Sequence, residues 1–212
     1  MTYPIGQYHD IEQYSEDWYD LVRGSIGGSR IHDATAKGKK GGYLAGREKV
    51  MYQILAERIT GKSPSRYISP AMQHGTDTEP EARDTCCFEI DQEIRKAGVF
   101  LHPTIAGAHC SPDGLIGEDG MWQVKCPETT THIATLLTKQ VPEEYVAQIQ
   151  WELACSGRSW SIYQSYDNRV PVKMRSFRQR IERDEKLILS LETECRLFLK
   201  EVDENIVKLE AL

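Results

Sequence analysis

"SPDGLIGEDGMWQVKCP", residues 111–127, decides how this chain is read. The stretch Gly117-Glu118-Asp119-Gly120 marks a tight turn between two short apolar runs, the pattern of a β-hairpin. Side chains alternate across a strand, so Met121, Gln123 and Lys125 point one way and Trp122, Val124 and Cys126 the other. The apolar set belongs against a helix. Gln123 and Lys125 then share a polar face, and the turn returns Asp113 to the same neighbourhood. A lysine beside a carboxylate in a half-buried cleft suits phosphodiester hydrolysis: Asp holds a hard cation, while Lys polarises the attacking water or steadies charge on the phosphate. Taken alone, the pattern fits a surface hairpin with an ordinary acid and base equally well, so its weight depends on the rest of the chain.

Upstream, "DIEQYSEDWYDLVRGSIGGSRIHDATA" predicts a short helix ending near Arg23, a glycine-rich turn, and a second helix capped by Ser29. "AKGKKGGYLAG" is a basic, glycine-rich loop without the Walker pattern; Lys37, Lys39 and Lys40 are read as solvated, or as electrostatic grip on a polyanion. Apolar residues Val50, Met51, Ile54 and Leu55 recur at helical spacing between Arg47 and Ile59. After the turn "TGKSPSRYISP" a longer helix is expected from about Pro70 toward Ile94, with Met72 as core or as channel lining. Three strands follow, "VFLHPT", "AHCSPDGLIG" and "MWQVKCP", then a polar loop at Thr129, Thr131 and His132. A helix opened by Pro142 and closed by Gly157 comes next, with Tyr145 packed inside. "SWSIYQSY" and "VPVKMRSF" read as strands, and residues from about 177 to 212 as one or two amphipathic helices. This order favours an α/β layered architecture with a mixed central sheet.

At 212 residues and 24.2 kDa the chain is expected to form a single domain with a real core. No apolar run approaches membrane-spanning length and no signal-peptide layout opens the chain, which predicts a cytoplasmic protein. The formal charge of −6 argues only mildly against a nucleic-acid partner, because positive charge can be confined to one groove. Six cysteines lie scattered with no C-x-x-C pair, so neither a zinc site nor a disulfide framework is expected; Cys126 and Cys155 read as small buried hydrophobes.

The motif "SPDGL" followed by "QVKCP" resembles the lambda exonuclease family, viral recombination nucleases of the restriction-endonuclease-like fold, in which the second part reads E-x-K-C-P. The resemblance extends along most of the chain. "HGTDTEPEAR" is similar to the family's G-x-x-x-E-x-x-A-R helix, "YVAQIQ" to its later helix motif, and "IERDEK" at 181–186 to a further segment. "WYDLVRGSIGGS" is similar to the segment that grips a terminal 5′-phosphate.

The resemblance implies a three-layer core and a Mg²⁺-dependent 5′→3′ exonuclease acting on linear double-stranded DNA, with Mn²⁺ as a substitute. Asp113, position 123, Glu79 and the backbone carbonyl of Val124 would hold metal; Lys125 would orient water; Gln148 would support the nucleophile. Arg23 and Ser29 would hold the 5′-phosphate through paired donors and helix-end N–H groups. It also implies a homotrimeric ring, a single-strand annealing protein as partner, and the cytoplasm of a bacterial host. Phe198, Val202, Ile206 and Leu209, at helical spacing, would suit subunit contacts or packing on the chain's own core.

Gln123 departs from the family's Glu. Two cations about 4 Å apart need negative charge around them, and one unit charge pair at that distance is worth roughly 4 kcal/mol at an effective dielectric of 20. An amide keeps the oxygen and the shape but discards that attraction. Gln123 is read either as native or as a Glu-to-Gln substitution that silences the enzyme. The alternative function is a catalytically silent DNA-end-binding module that recruits the annealing protein.

Overall fold

The computed structural model describes residues 3–39, 41–63 and 69–212; Lys40 and most of the "SPSRYIS" turn lie outside the described residues. The elements run β1 (Tyr8–His9), α1 (Glu16–Val22), α2 (Gly28–Thr35), α3 (Gly46–Thr60), α4 (Pro70–Ile90), β2 (Ile94–Arg95), β3 (Val99–Leu101), β4 (His109–Cys110), β5 (Gly114–Ile116), β6 (Gly120–Lys125), α5 (Thr129–Thr138), α6 (Glu143–Ser156), β7 (Trp160–Tyr166), a 3-10 turn (Val172–Met174), β8 (Ser176–Glu182) and α7 (Glu185–Glu210). Among the described residues no helix is long and apolar enough to cross a membrane.

A mixed five-stranded sheet in the order β2-β5-β6-β7-β8 forms the middle layer, and a smaller sheet β1-β3-β4 stands beside it. β5 and β6 form the antiparallel hairpin, pairing Gly114 with Trp122 and Ile116 with Gly120. β6 and β7 run parallel, so the chain must cross over between them, and α5 and α6 make that crossover. Covered on both faces, β6 buries nearly every residue.

The strand alternation of β6 sorts the layers. Trp122 and Val124 pack with Ala82 and Cys86 of α4, and with Ile94, Ile116, Trp160 and Tyr166. The Trp122 indole N–H donates to Gln164 Oε1 at 2.9 Å, so the buried ring leaves no donor unpaired. Met121 faces the other way into the main core, with Ile149, Leu153 and Ala154 of α6, Ile31 of α2, Ile54 of α3 and Phe198 of α7. The result is α4, sheet, then α2, α3, α6 and α7: an α/β sandwich of three layers.

Several expectations change at element boundaries. "AHCSPDGLIG" is two strands in different sheets, β4 and β5, with Ser111, Pro112 and Asp113 bridging them. α4 ends at Ile90, where Asp91 turns left-handed (φ 53°), so Ile94 begins a strand instead of ending a helix. Residues 129–133 are no loop but the start of α5; β-branched threonines carry weak helix propensity and hide it. "VPVKMRSF" is mostly a 3-10 turn, and the segment from 177 continues as strand β8, paired with β7 along its length. α7 starts only where Asp184 accepts from the N–H groups of Lys186 and Leu187. α6 keeps its expected ends, Pro142 before its first residue and Gly157 left-handed (φ 70°) after its last. On α7, Phe198 and Val202 are buried in the chain's own core, Ile206 packs against it, and Leu209 is exposed.

Candidate active site

The Asp113 carboxylate stands where the chain leaves the small sheet for the large one. Pro112 has no N–H to continue a ladder, and the turn sends the side chain toward β6. Asp113 Oδ2 accepts from Gln123 Nε2 at 2.6 Å and from the Val124 N–H at 2.8 Å. Burial raises the Asp113 pKa; the Lys125 ammonium, the Val124 N–H and Arg83 oppose it.

Around it stand the other expected residues. Glu79 comes from α4, one turn before Arg83, whose guanidinium pairs with it at 2.6 Å. Burial raises its pKa first and the Asp113 charge second, so the two carboxylates feel each other. Gln123 is 1% exposed, and its Oε1 has no hydrogen-bond partner among the described residues. The Lys125 ammonium lies 5.0 Å from the Tyr145 ring centroid, and its charge acts on Asp113, Glu79 and Glu152. Gln148, on α6, donates Nε2 to Glu152 Oε1 at 2.8 Å.

Glu152 was missed in the sequence. It is 1% exposed; burial, and then the Asp113 charge, push its carboxyl up to about 8. Its Oε2 has no hydrogen-bond partner among the described residues. The only signal was a lone acid in the apolar run "WELAC", one helical turn after Gln148.

Asp113, Gln123, Lys125, Gln148 and Glu152 line a cleft of about 800 Å³ that also contains Arg23, Gly27, Gly28, Ser29, Arg30, Lys49, Met72 and Trp18; Glu79 is not among its lining residues. The turn between α1 and α2 is held by clamps. Gly24 (φ +66°) donates its N–H to Glu57, and its carbonyl accepts from the Arg58 Nε–H, both partners coming from α3. Arg30 binds the other Glu57 oxygen at 2.8 Å. Behind the turn, Ser25 Oγ meets His109 Nδ1 at 2.8 Å, and the Trp18 indole donates to Ser111 at 3.0 Å. Burial and then Arg30 lower the His109 pKa to about 3, so the imidazole is neutral. Arg23 reaches the cleft while paired with Asp20. Ser29 is not the cap of α2: Gly27 is, and Ser29 sits inside the first turn, still on the cleft.

Apart from Met72, the other candidates fall outside the cleft. Lys37 is tied with Tyr43 to Glu194 of α7, Lys39 is exposed, and Lys40 lies outside the described residues. Met72 is a partly exposed cleft residue, not core. Thr129 bonds Asp167, and His132 is buried between Ser165 and the Met174 carbonyl; both fasten α5. Tyr145 packs, stacked on Tyr163. Cys155 is buried and Cys126 half-buried.

A hard cation fits this donor set. Among the described residues no three His, Cys, Asp or Glu side chains are grouped to cage a metal alone. Mg²⁺, however, is commonly held by one or two carboxylates, waters and substrate phosphate. Asp113 and Glu79 would supply the carboxylates. The unpartnered Gln123 oxygen and the Val124 carbonyl are further hard donors.

None of the curated protein sequences matches the chain. Among solved structures it is similar to an alkaline exonuclease (LHK-Exo) from Laribacter hongkongensis, with 40% identity over 93% of this chain and 97% of that one, and a TM-score of 0.86. The same protein in complex with dAMP gives 39% identity, the same coverage and a TM-score of 0.87. A phage related exonuclease from Haemophilus somnus shares the fold, with a TM-score of 0.72 at 14% identity over 90% of this chain and 98% of that one. The model of the YqaJ-like viral recombinase domain matches residues 17–159, a span that holds every cleft group from Trp18 and Arg23 to Glu152. By a match over more than half its length, together with that 40% identity, the chain belongs to the YqaJ-like viral recombinase family.

Proposed function

We propose that this protein is a divalent-cation-dependent deoxyribonuclease of phage-type recombination, a 5′→3′ exonuclease that degrades one strand of linear double-stranded DNA. One observation carries the reading: Asp113, Gln123 and Lys125 line the same cleft as Arg23 and the first turn of α2, and Glu79 lies within electrostatic reach of Asp113 and Lys125. A relative that takes dAMP is consistent with nucleotide release from such a cleft.

Mg²⁺, with Mn²⁺ as substitute, would be held by Asp113, Gln123, Glu79 and the Val124 carbonyl. When bound it would supply positive charge to the scissile phosphate and lower the pKa of water. Lys125 holds the attacking water and offsets charge on the phosphate. Gln148, anchored by Glu152, positions the nucleophile. Arg23, Ser29 and the N–H groups of the α2 first turn hold the terminal 5′-phosphate and so set polarity. A homotrimeric ring and a single-strand annealing protein complete the proposal.

The test is the end group. Linear duplex with a 5′-phosphate should be degraded faster than duplex with a 5′-hydroxyl, and closed circular duplex should stay intact. Equal rates at both ends would remove Arg23 and Ser29 from their roles, and nicked circles would indicate an endonuclease. A second reading, the silent DNA-end-binding module, draws on the neutral amide that already occupies Asp113. End binding without any hydrolysis would favour it.

A further inference from the structure

Position 123 gives the cation site an oxygen but no charge. The helix facing β6 carries a buried acid in the same cleft. Gln148 and Glu152 lie one turn apart on α6, and both line the cleft with Asp113, Gln123 and Lys125. One Glu152 oxygen is taken by the Gln148 amide at 2.8 Å. The other is buried with no hydrogen-bond partner among the described residues.

A purely structural buried carboxyl uses both its oxygens, because an unpaired one is costly. The neighbours explain what this one is for. Asp113 and Lys125 both act on Glu152 through their charges, so it lies within electrostatic reach of the cation donors. α2 enters at Gly28, whose missing side chain lets the backbone come close: a Cβ there would stand 3.4 Å from Glu152 Oε1 and 3.5 Å from Gln148 Cγ.

We propose that Glu152 supplies the negative charge that the amide at position 123 withholds from the cation site, while its other oxygen fixes Gln148. The inference rests on reading the cleft as a cation-dependent nuclease site. Burial holds the proton on Glu152 in the empty cleft; an entering cation drives that proton off to solvent, so Glu152 acts through the charge it then carries and through Gln148, as a positioning residue and not a group that touches substrate.

The test is Mn²⁺ affinity of the whole chain, measured by electron paramagnetic resonance and calorimetry without DNA. Glu152→Gln keeps the shape and the Gln148 contact and should weaken Mn²⁺ binding roughly 10- to 100-fold, the range for groups that tune a metal site. Glu204→Gln, on the exposed side of α7, should change nothing. Adding Gln123→Glu to Glu152→Gln should restore affinity, because the charge returns from the other side; simple damage to packing would not be rescued. Should Glu152→Gln fail to fold, Glu152→Asp takes its place, its withdrawn charge giving a smaller loss. Unchanged affinity in the Glu152 variant, or a double variant as weak as the single one, overturns the proposal. If the unaltered chain takes up no Mn²⁺ at all, the nuclease reading falls with it; an unchanged variant beside a normal parent sinks the Glu152 role alone.

Discussion

Gln123 Nε2 donates to Asp113 Oδ2 at 2.6 Å, and the next residue on the strand, Val124, gives its backbone N–H to the same oxygen at 2.8 Å. The amide thereby does without a metal what a cation would do with one: it stabilises the charged form of a buried carboxyl. A carboxylate at 123 would repel Asp113 instead, unless a cation stood between them.

Gln123→Glu should therefore reverse sign with metal. Without divalent cations the variant loses a charge-assisted hydrogen bond and gains like-charge repulsion, costing about 1–3 kcal/mol and lowering Tm. With Mg²⁺ it should gain more stability than the parent and degrade linear duplex at least roughly tenfold faster, at about 1.4 kcal/mol per tenfold. Thermal melts with and without Mg²⁺, run beside a nuclease assay, check both halves. Lower stability with no gain in either property would support the silent binding module.

Lys125 tests the chemistry apart from the metal. Its ammonium acts on Asp113 and Glu79, so it competes with a cation for the same negative charge. Lys125→Met should reduce the single-turnover rate by about 10²–10⁴, the usual share of a positioned proton-handling group. Mn²⁺ affinity should hold or rise. A variant that loses metal and rate together would make Lys125 a structural support only.

What the sequence conveyed and what it hid follow from range. Alternation along "GMWQVK" was a local signal, and the structure keeps it: Trp122 toward α4, Met121 toward the main core, Gln123 onto Asp113. The helix ends at Pro142 and Gly157 were equally local. Glu152 was invisible because its meaning depends on α6 packing over β6, a relation between residues far apart in the chain. The α5 helix was masked by threonines of low propensity, and β8 by charged residues whose alternation looks helical until β7 pairs with it. Ser29 failed as a cap because Gly27 and Gly28 let the turn close two residues earlier.

Arg23 reaches the cleft already paired with Asp20, which pre-sets the guanidinium but shares it. Arg23→Gln should raise KM for 5′-phosphorylated duplex and erase most of its advantage over a 5′-hydroxyl end. A hydrogen bond to a charged group is worth about 1.5–3 kcal/mol, or roughly 10- to 100-fold. Asp20→Asn should leave the preference intact or sharpen it, since it frees the same guanidinium. A phosphate preference that survives Arg23→Gln would assign the end group to Ser29 and the α2 amides.

Acid should find the structure through its buried histidines. His102 accepts from the N–H groups of Thr104 and Ile105 at Nδ1 and stacks on Trp151. Burial, then Arg196, lowers its pKa to about 4; Glu192 stands 3.3 Å from Nε2. His109 is lowered to about 3. A depressed histidine binds fewer protons folded than unfolded, so its contribution is full above about pH 6.5 and is lost as pH falls toward 4. For His102 this is about 3 kcal/mol, at 1.36 kcal/mol per pKa unit. The site carboxyls Glu79, Asp113 and Glu152 are raised and run the opposite way, so the whole-protein curve mixes both signs. Comparing urea unfolding of the parent with His102→Gln between pH 7 and 4 cancels the carboxyls. The parent should lose stability faster on acidification, the two curves converging by about 3 kcal/mol; parallel curves would show that His102 titrates in the folded protein as it does in the unfolded chain.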